Sequence, residues 1–188
     1  MNYLAHLFLA GKSAESMIGN LAGDFVKGRV GDEVPLGIAE GIRHHRRVDA
    51  FTDSHPSVSA FRRVLIPEHG HYSRVIADVF FDHFLACDFT RYSSEPLNDF
   101  LRRIHTTIDP HIDELPGRLR FVYPRMRDEG WLESYRTLDG IRLALGGISH
   151  RLSRQPKLAP AVHFLENEHR ATLERLFHKF FPDVMALT

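Results

Sequence analysis

The stretch HYSRVIADVFFDHFLACDF, residues 71–89, decides the fold class. Its apolar positions Val75, Val79, Phe80, Phe84 and Leu85 fall at helical offsets along one face, where a half-buried strand would alternate. Two acids, Asp78 and Asp82, stand four apart in that run and so stack on a helix, with His83 beside them. An unpaired carboxylate in such apolar surroundings is very costly. Asp78 and Asp82 therefore need partners: arginine, histidine or a divalent metal.

The same helical spacing extends outward in both directions. Leu4, Leu7 and Phe8 open a short helix, and a second is predicted over 13–27 with Met17, Leu21 and Phe25 on one stripe. Further helices are predicted over 38–52, 58–65, 97–112, 117–127 (interrupted at Pro124), 138–152 and 158–181. No period-2 strand, internal repeat or low-complexity linker stands out. The expectation is one all-α domain spanning 1–188, a bundle of roughly eight to ten helices joined by short turns.

Composition narrows the function. The 24 basic and 24 acidic residues cancel, which argues against a general nucleic-acid binder. Arg greatly outnumbers Lys, which appears only at Lys12, Lys27, Lys157 and Lys179. Arg offers a planar donor fork for phosphate and carboxylate groups. The single Cys87 fits a reducing compartment. Residues 1–10 are apolar but carry His6, lack a basic leader and are too short to span a bilayer. No membrane association and a cytoplasmic location are expected.

Familiar catalytic loops are missing. Gly11-Lys12-Ser13 resembles the end of a phosphate-binding loop, but His6 stands where that loop needs glycine. No nucleophile elbow or HExxH motif occurs, and Cys87 is expected in an apolar helix with no basic neighbour to lower its pKa. The informative pattern is His44-His45-Arg46-Arg47-Val48-Asp49 followed by Asp53. At four-residue spacing, His45, Asp49 and Asp53 are expected in one column. Asn20 and Asp24 repeat that spacing, flanked by Gly19 and Gly23, which permit close approach. Two readings stand: salt bridges to Arg43, Arg46, Arg47 and Arg74, or a metal site on mixed imidazole and carboxylate ligands. Trp131 and Tyr135 are expected as a core anchor, and Arg118, Arg120, Arg125 and Arg127 as a solvated face or a dock for an acidic protein.

Several of these segments, taken in order, resemble a known family. They are Asn2-Tyr3-Leu4-Ala5-His6-Leu7, Gly19-Asn20 with Asp24-Phe25, His45-Arg46-Arg47-Val48-Asp49 with Thr52-Asp53, and Asp78 with Asp82-His83-Phe84. With Trp131-Leu132 and Tyr135-Arg136 they resemble the acyl carrier protein phosphodiesterase family, over Met1 to about Phe181. That resemblance implies a divergent His-Asp phosphohydrolase, all-helical and dependent on a divalent metal. Manganese is the metal associated with the family, with magnesium or ferrous iron as alternatives. The implied reaction removes 4′-phosphopantetheine from the serine of holo-acyl carrier protein. The adjacent pair reads Asp82-His83, and Asp24 precedes His45, so a permuted arrangement is implied.

On this basis Asp24, His45, Asp82 and His83 are expected to include the principal metal ligands, with Asp49 and Asp78 as further or outer ligands. Arg46 or Arg47 would neutralise charge on the phosphoryl oxygens. His6 would orient water or protonate the leaving group. The other readings are hydrolysis of a nucleotide or other small phosphoester by the same centre, and a non-catalytic helical protein that binds an acidic carrier protein.

Overall fold

The computed structural model describes residues 1–187, and among these it is all-α. The helices in chain order are α1 (Tyr3–Leu9), α2 (Ala14–Ala22), α3 (Leu36–Ser54), α4 (Pro56–His69), α5 (Ser73–Cys87) and α6 (Phe89–Tyr92). They continue as α7 (Leu97–Ile108), α8 (Leu119–Asp128), α9 (Trp131–Ser134), α10 (Leu138–Arg151), α11 (His163–Glu166) and α12 (His169–Met185). Short 3-10 turns precede α5, follow α7 and precede α11. No helix is long and apolar enough to cross a membrane among the described residues.

Helix α5 sits at the centre. Every residue from Val79 to Ala86 is buried, and α1, α4, α10 and α12 pack around it. Phe81 and Phe84 of α5 meet Phe61 of α4 and Phe177 of α12, with ring centroids 4.8–6.3 Å apart. Burying aromatic faces on this scale is the main source of core stability.

Helices α2 and α3 meet backbone to backbone. A Cβ at Gly19 would lie 2.6 Å from the Gly41 Cα, and one at Gly41 would lie 2.8 Å from the Gly19 Cα. Only glycine at both positions permits this approach, which brings Asn20 of α2 against His44 and His45 of α3.

The chain departs from the sequence-based expectation in four places, the first being the helix predicted over 97–112, which ends at Ile108 and gives way to a 3-10 turn. The helix predicted over 13–27 starts with Ser13 accepting from the Ser16 amide, then ends at Ala22; the Phe25 and Val26 amides close onto the Ala22 carbonyl. Asp24 therefore stands in a turn. Helix α8 runs through Pro124 without interruption, because the proline removes only its own amide bond while buried Tyr123 and Met126 hold both flanks. The helix predicted over 158–181 divides at Asn167, which is extended and whose side-chain oxygen caps the His169 amide.

Replacing Gly19 with alanine adds one methyl group and improves helix propensity by about 1 kcal/mol. Overlap with the α3 backbone outweighs that gain, so G19A is expected to lower stability by about 1–3 kcal/mol. Urea denaturation measures it, and a neutral or stabilising change would contradict the close α2–α3 contact.

Candidate active site

Three elements bring the functional side chains together. Helix α1 supplies His6, α3 supplies His45 and Asp49, and the turn after α2 supplies Asp24. The two imidazoles stack with centroids 3.7 Å apart and planes 16° from parallel. His45 Nε2 lies 3.1 Å from Asp49 Oδ2 and 3.7 Å from Asp24 Oδ1, and His6 Nε2 lies 3.1 Å from Asp49 Oδ1. The Met1 ammonium closes the group, 3.1 Å from Asp49 and 3.4 Å from Asp78.

Local structure aims His45. Its Nδ1 donates to the Asn20 carbonyl at 2.8 Å, leaving Nε2 to face the acids. Gly23 lies beneath the ring, where a Cβ would overlap it. Helix α1 is positioned by Asp82 of α5, which accepts from the Leu4 and Ala5 amides at 2.8 and 3.0 Å. That carboxylate is an N-terminal cap supplied from another helix. Tyr135, beyond α9, accepts from Asn2 at 3.1 Å and adds a second tie to the N-terminal segment.

The two histidines occupy opposite electrostatic positions. Burial would lower the His45 pKa, but the contacts its Nε2–H makes to the Asp24 and Asp49 carboxylates outweigh it and raise the value to about 9. Burial lowers His6 to about 4, with Asp49 acting against it and the Met1 ammonium and His45 reinforcing it. Burial would raise Asp49 as well, yet His45, His6 and the ammonium hold it well below the carboxylate range. Burial pushes Asp82 up to about 7 against the two amide bonds it accepts.

The residues present fit a divalent cation. His6, His45 and Asp49 offer ligand atoms within 4.8 Å of one another. Metal bonds of about 2.0–2.2 Å require ligand atoms at such separations. His6 Nδ1 is buried with no partner, while His6 Nε2 and Asp78 Oδ1 have only the ion contacts to Asp49 and to the Met1 ammonium. Buried polar atoms without partners are rare unless something else satisfies them. The Nδ1 of His45 is tied to a carbonyl, as is usual for metal-bound imidazoles.

Other residues singled out in the sequence have different partners. His83 Nδ1 donates to the Tyr135 carbonyl at 2.8 Å, on a different face of α5 from the cluster. Asp53 pairs with Arg62 at 2.7 Å and with Arg74. Eight residues of helix rotate it about 80° from His45, too far for one column. The salt-bridge reading thus applies to Asp53. Arg46 donates to the Val26 carbonyl at 2.8 Å, pinning the loop that carries Asp24. Arg47 lines a separate cleft with His44 and Glu40. Tyr135 is buried as expected, while Trp131 is half-buried and donates to Glu129.

In front of the cluster opens a cleft of about 510 Å³ lined by Asp24, Asp49 and Asp78. Val75 and Val79 of α5, Val122 of α8 and Ile148 of α10 form apolar walls, and Lys27, Arg118 and Arg151 supply cations. Lys27 lies three residues beyond Asp24 and was open to notice in the sequence. Arg118, expected from the sequence on a solvated or docking face, and Arg151 arrive from distant parts of the chain, and no local signal ties either to the cleft.

The chain matches the model of the family described as acyl carrier protein phosphodiesterase over residues 1–184. It belongs to that family. Among its relatives named acyl carrier protein phosphodiesterase, one from Yersinia pestis is 37% identical over 186 residues, covering 98% of this chain and 96% of the relative. One from Enterobacter sp. (strain 638) is 35% identical with the same coverage, and one from Salmonella agona (strain SL483) is 35% identical over 187 residues. No solved structure matches. Family membership thus extends across the cluster, the cleft and the helices that hold both.

The His45 pKa of about 9 lies above the unfolded value of 6.5, so the folded metal-free chain binds the extra proton. That stabilisation is complete below pH 6.5 and is lost as pH rises through 9, at most on the order of 3 kcal/mol. Denaturation midpoints in chelator are expected to fall across this window, and His45→Gln is expected to flatten the decline. An equal decline in the variant would contradict the His45 contacts.

Proposed function

We propose that the chain hydrolyses the phosphodiester joining 4′-phosphopantetheine to a serine of holo-acyl carrier protein, releasing apo protein and 4′-phosphopantetheine. The observation that carries this reading is the convergence of His6, His45 and Asp49 in a chain of this family, with Asp49 of that group lining the cleft. Nothing in the cluster favours a nucleotide substrate or a purely binding role. The reading places the protein in the cytoplasm with its substrate.

His6, His45 and Asp49 would hold a divalent metal, with Asp24 and Asp78 beside them. This set includes His6 and leaves Asp82 and His83 to their backbone partners. Mixed nitrogen and oxygen donors suit manganese, with ferrous iron or magnesium as alternatives. A bound cation of this kind supplies Lewis-acid stabilisation of phosphoryl charge and lowers the pKa of water.

The chain's own residues do the rest. The Asn20 carbonyl fixes the His45 ring so that Nε2 faces Asp24 and Asp49. Asp49 stays anionic across the working pH range. Asp24 is half exposed, and its ion pair with His45 outweighs burial to keep its pKa low. It is therefore ionised near neutrality and placed to accept a proton from attacking water. Buried Met1, Tyr3 and His6 close the back of the site to bulk water.

Incubation with holo-acyl carrier protein and manganese is expected to reduce the carrier's mass by the phosphopantetheine arm. His45→Ala and Asp49→Ala should each slow that loss by about a hundredfold or more, and chelator should abolish it. Retention of the arm by the wild-type enzyme would overturn the reading; full activity in both variants would overturn the assigned site.

A further inference from the structure

The cleft contains more than the hydrolytic cluster uses. Its acids are engaged, Asp24 and Asp49 by histidine and Asp78 by the Met1 ammonium. Its cations Lys27, Arg118 and Arg151 have no carboxylate partner among the described residues. Some arginines elsewhere, such as Arg103, Arg127 and Arg142, are paired with acids and others are not, so what sets the cleft cations apart is their convergence on one cleft. The three cleft cations are exposed and come from three separate parts of the chain: the loop after α2, the start of α8 and the end of α10. Val122, Ile148 and Leu152 are half-buried and line the same cleft with apolar surface.

We infer that this cleft is the 4′-phosphopantetheine site, with Lys27, Arg118 and Arg151 holding the phosphate and Val122, Ile148 and Leu152 receiving the arm. The inference rests on the function proposed above and adds the means by which the substrate is recognised. A volume of about 510 Å³ falls within the range of about 300–1,000 Å³ usual for small-molecule sites. The arm carries a branched dimethyl carbon next to its phosphate, followed by neutral amides. Arginine forks beside a wall of branched aliphatic side chains complement that order of anion and alkyl group. The phosphodiester carries one negative charge and the released monoester nearly two. The same cations therefore bind the product more strongly than the bond being cut, and product inhibition follows from the charge count.

Isothermal titration calorimetry on the full chain with manganese tests this, using 4′-phosphopantetheine, pantetheine, AMP and inorganic phosphate. The complete arm is expected to bind tightest. Arg118→Ala and Arg151→Ala, both at exposed positions, should each raise its dissociation constant and that of phosphate about tenfold, the loss of one charge-assisted hydrogen bond. Pantetheine should respond little to either. Ile148→Ala should weaken the complete arm about fivefold and leave phosphate unchanged. Unaltered affinity in both arginine variants, or AMP binding as tightly as 4′-phosphopantetheine, would overturn the inference. A chain that binds the arm here without removing it from the carrier would overturn the proposed function alone. A chain that removes it with undiminished binding in the arginine variants would overturn the cleft assignment alone.

Discussion

The arrangement of the site depends on one buried carboxylate. Asp82 projects from the central helix α5 and accepts the Leu4 and Ala5 amides at the start of α1. The seven-residue α1 is too short to hold its own geometry in water, and Asn2 gives it no side-chain cap. The bond from α5 orients α1 and so places His6 against His45. An acid that is costly to bury is here compensated by two otherwise unsatisfied amides.

A second constraint comes from small residues. The Gly19–Gly41 contact draws α2 onto α3, and the Asn20 backbone then fixes His45. Arg46 ties the following loop to α3 through the Val26 carbonyl. Asp24 and Lys27 are thus held relative to His45 although neither lies in a helix. Core packing, helix ends and the cleft form one connected structure, with α5 contributing to both the aromatic core and the cleft wall.

Much of this was legible from spacing. The apolar period of 71–89 identified α5, and the four-residue interval between His45 and Asp49 put both side chains at the same point. Gly19 and Gly23 were visible as points of close approach. What spacing did not reveal was direction. Asp82 finds its partners 78 and 77 residues away in backbone amides, which leave no mark in the residue types. The adjacent Asp82-His83 pair suggested a shared function, but neighbours on a helix point about 100° apart and these two serve different contacts. Asp24 left the predicted helix because the chain turns after Ala22, a change of one helical turn that alters what it can reach. Arg118 and Arg151 join the cleft only through tertiary packing of α8 and α10.

Gly23 has an implication for how such a chain can change over time. Its bare Cα is the surface against which the His45 imidazole rests, and any side chain there would occupy the ring's position. The two residues are therefore not independent. A lineage that acquires alanine at 23 must shift the imidazole, and with it the Nε2 that faces Asp24 and Asp49. Because His45 is itself assigned to the site, a replacement there cannot compensate for a side chain at 23. Among relatives of this chain, glycine at 23 and histidine at 45 should therefore be retained together.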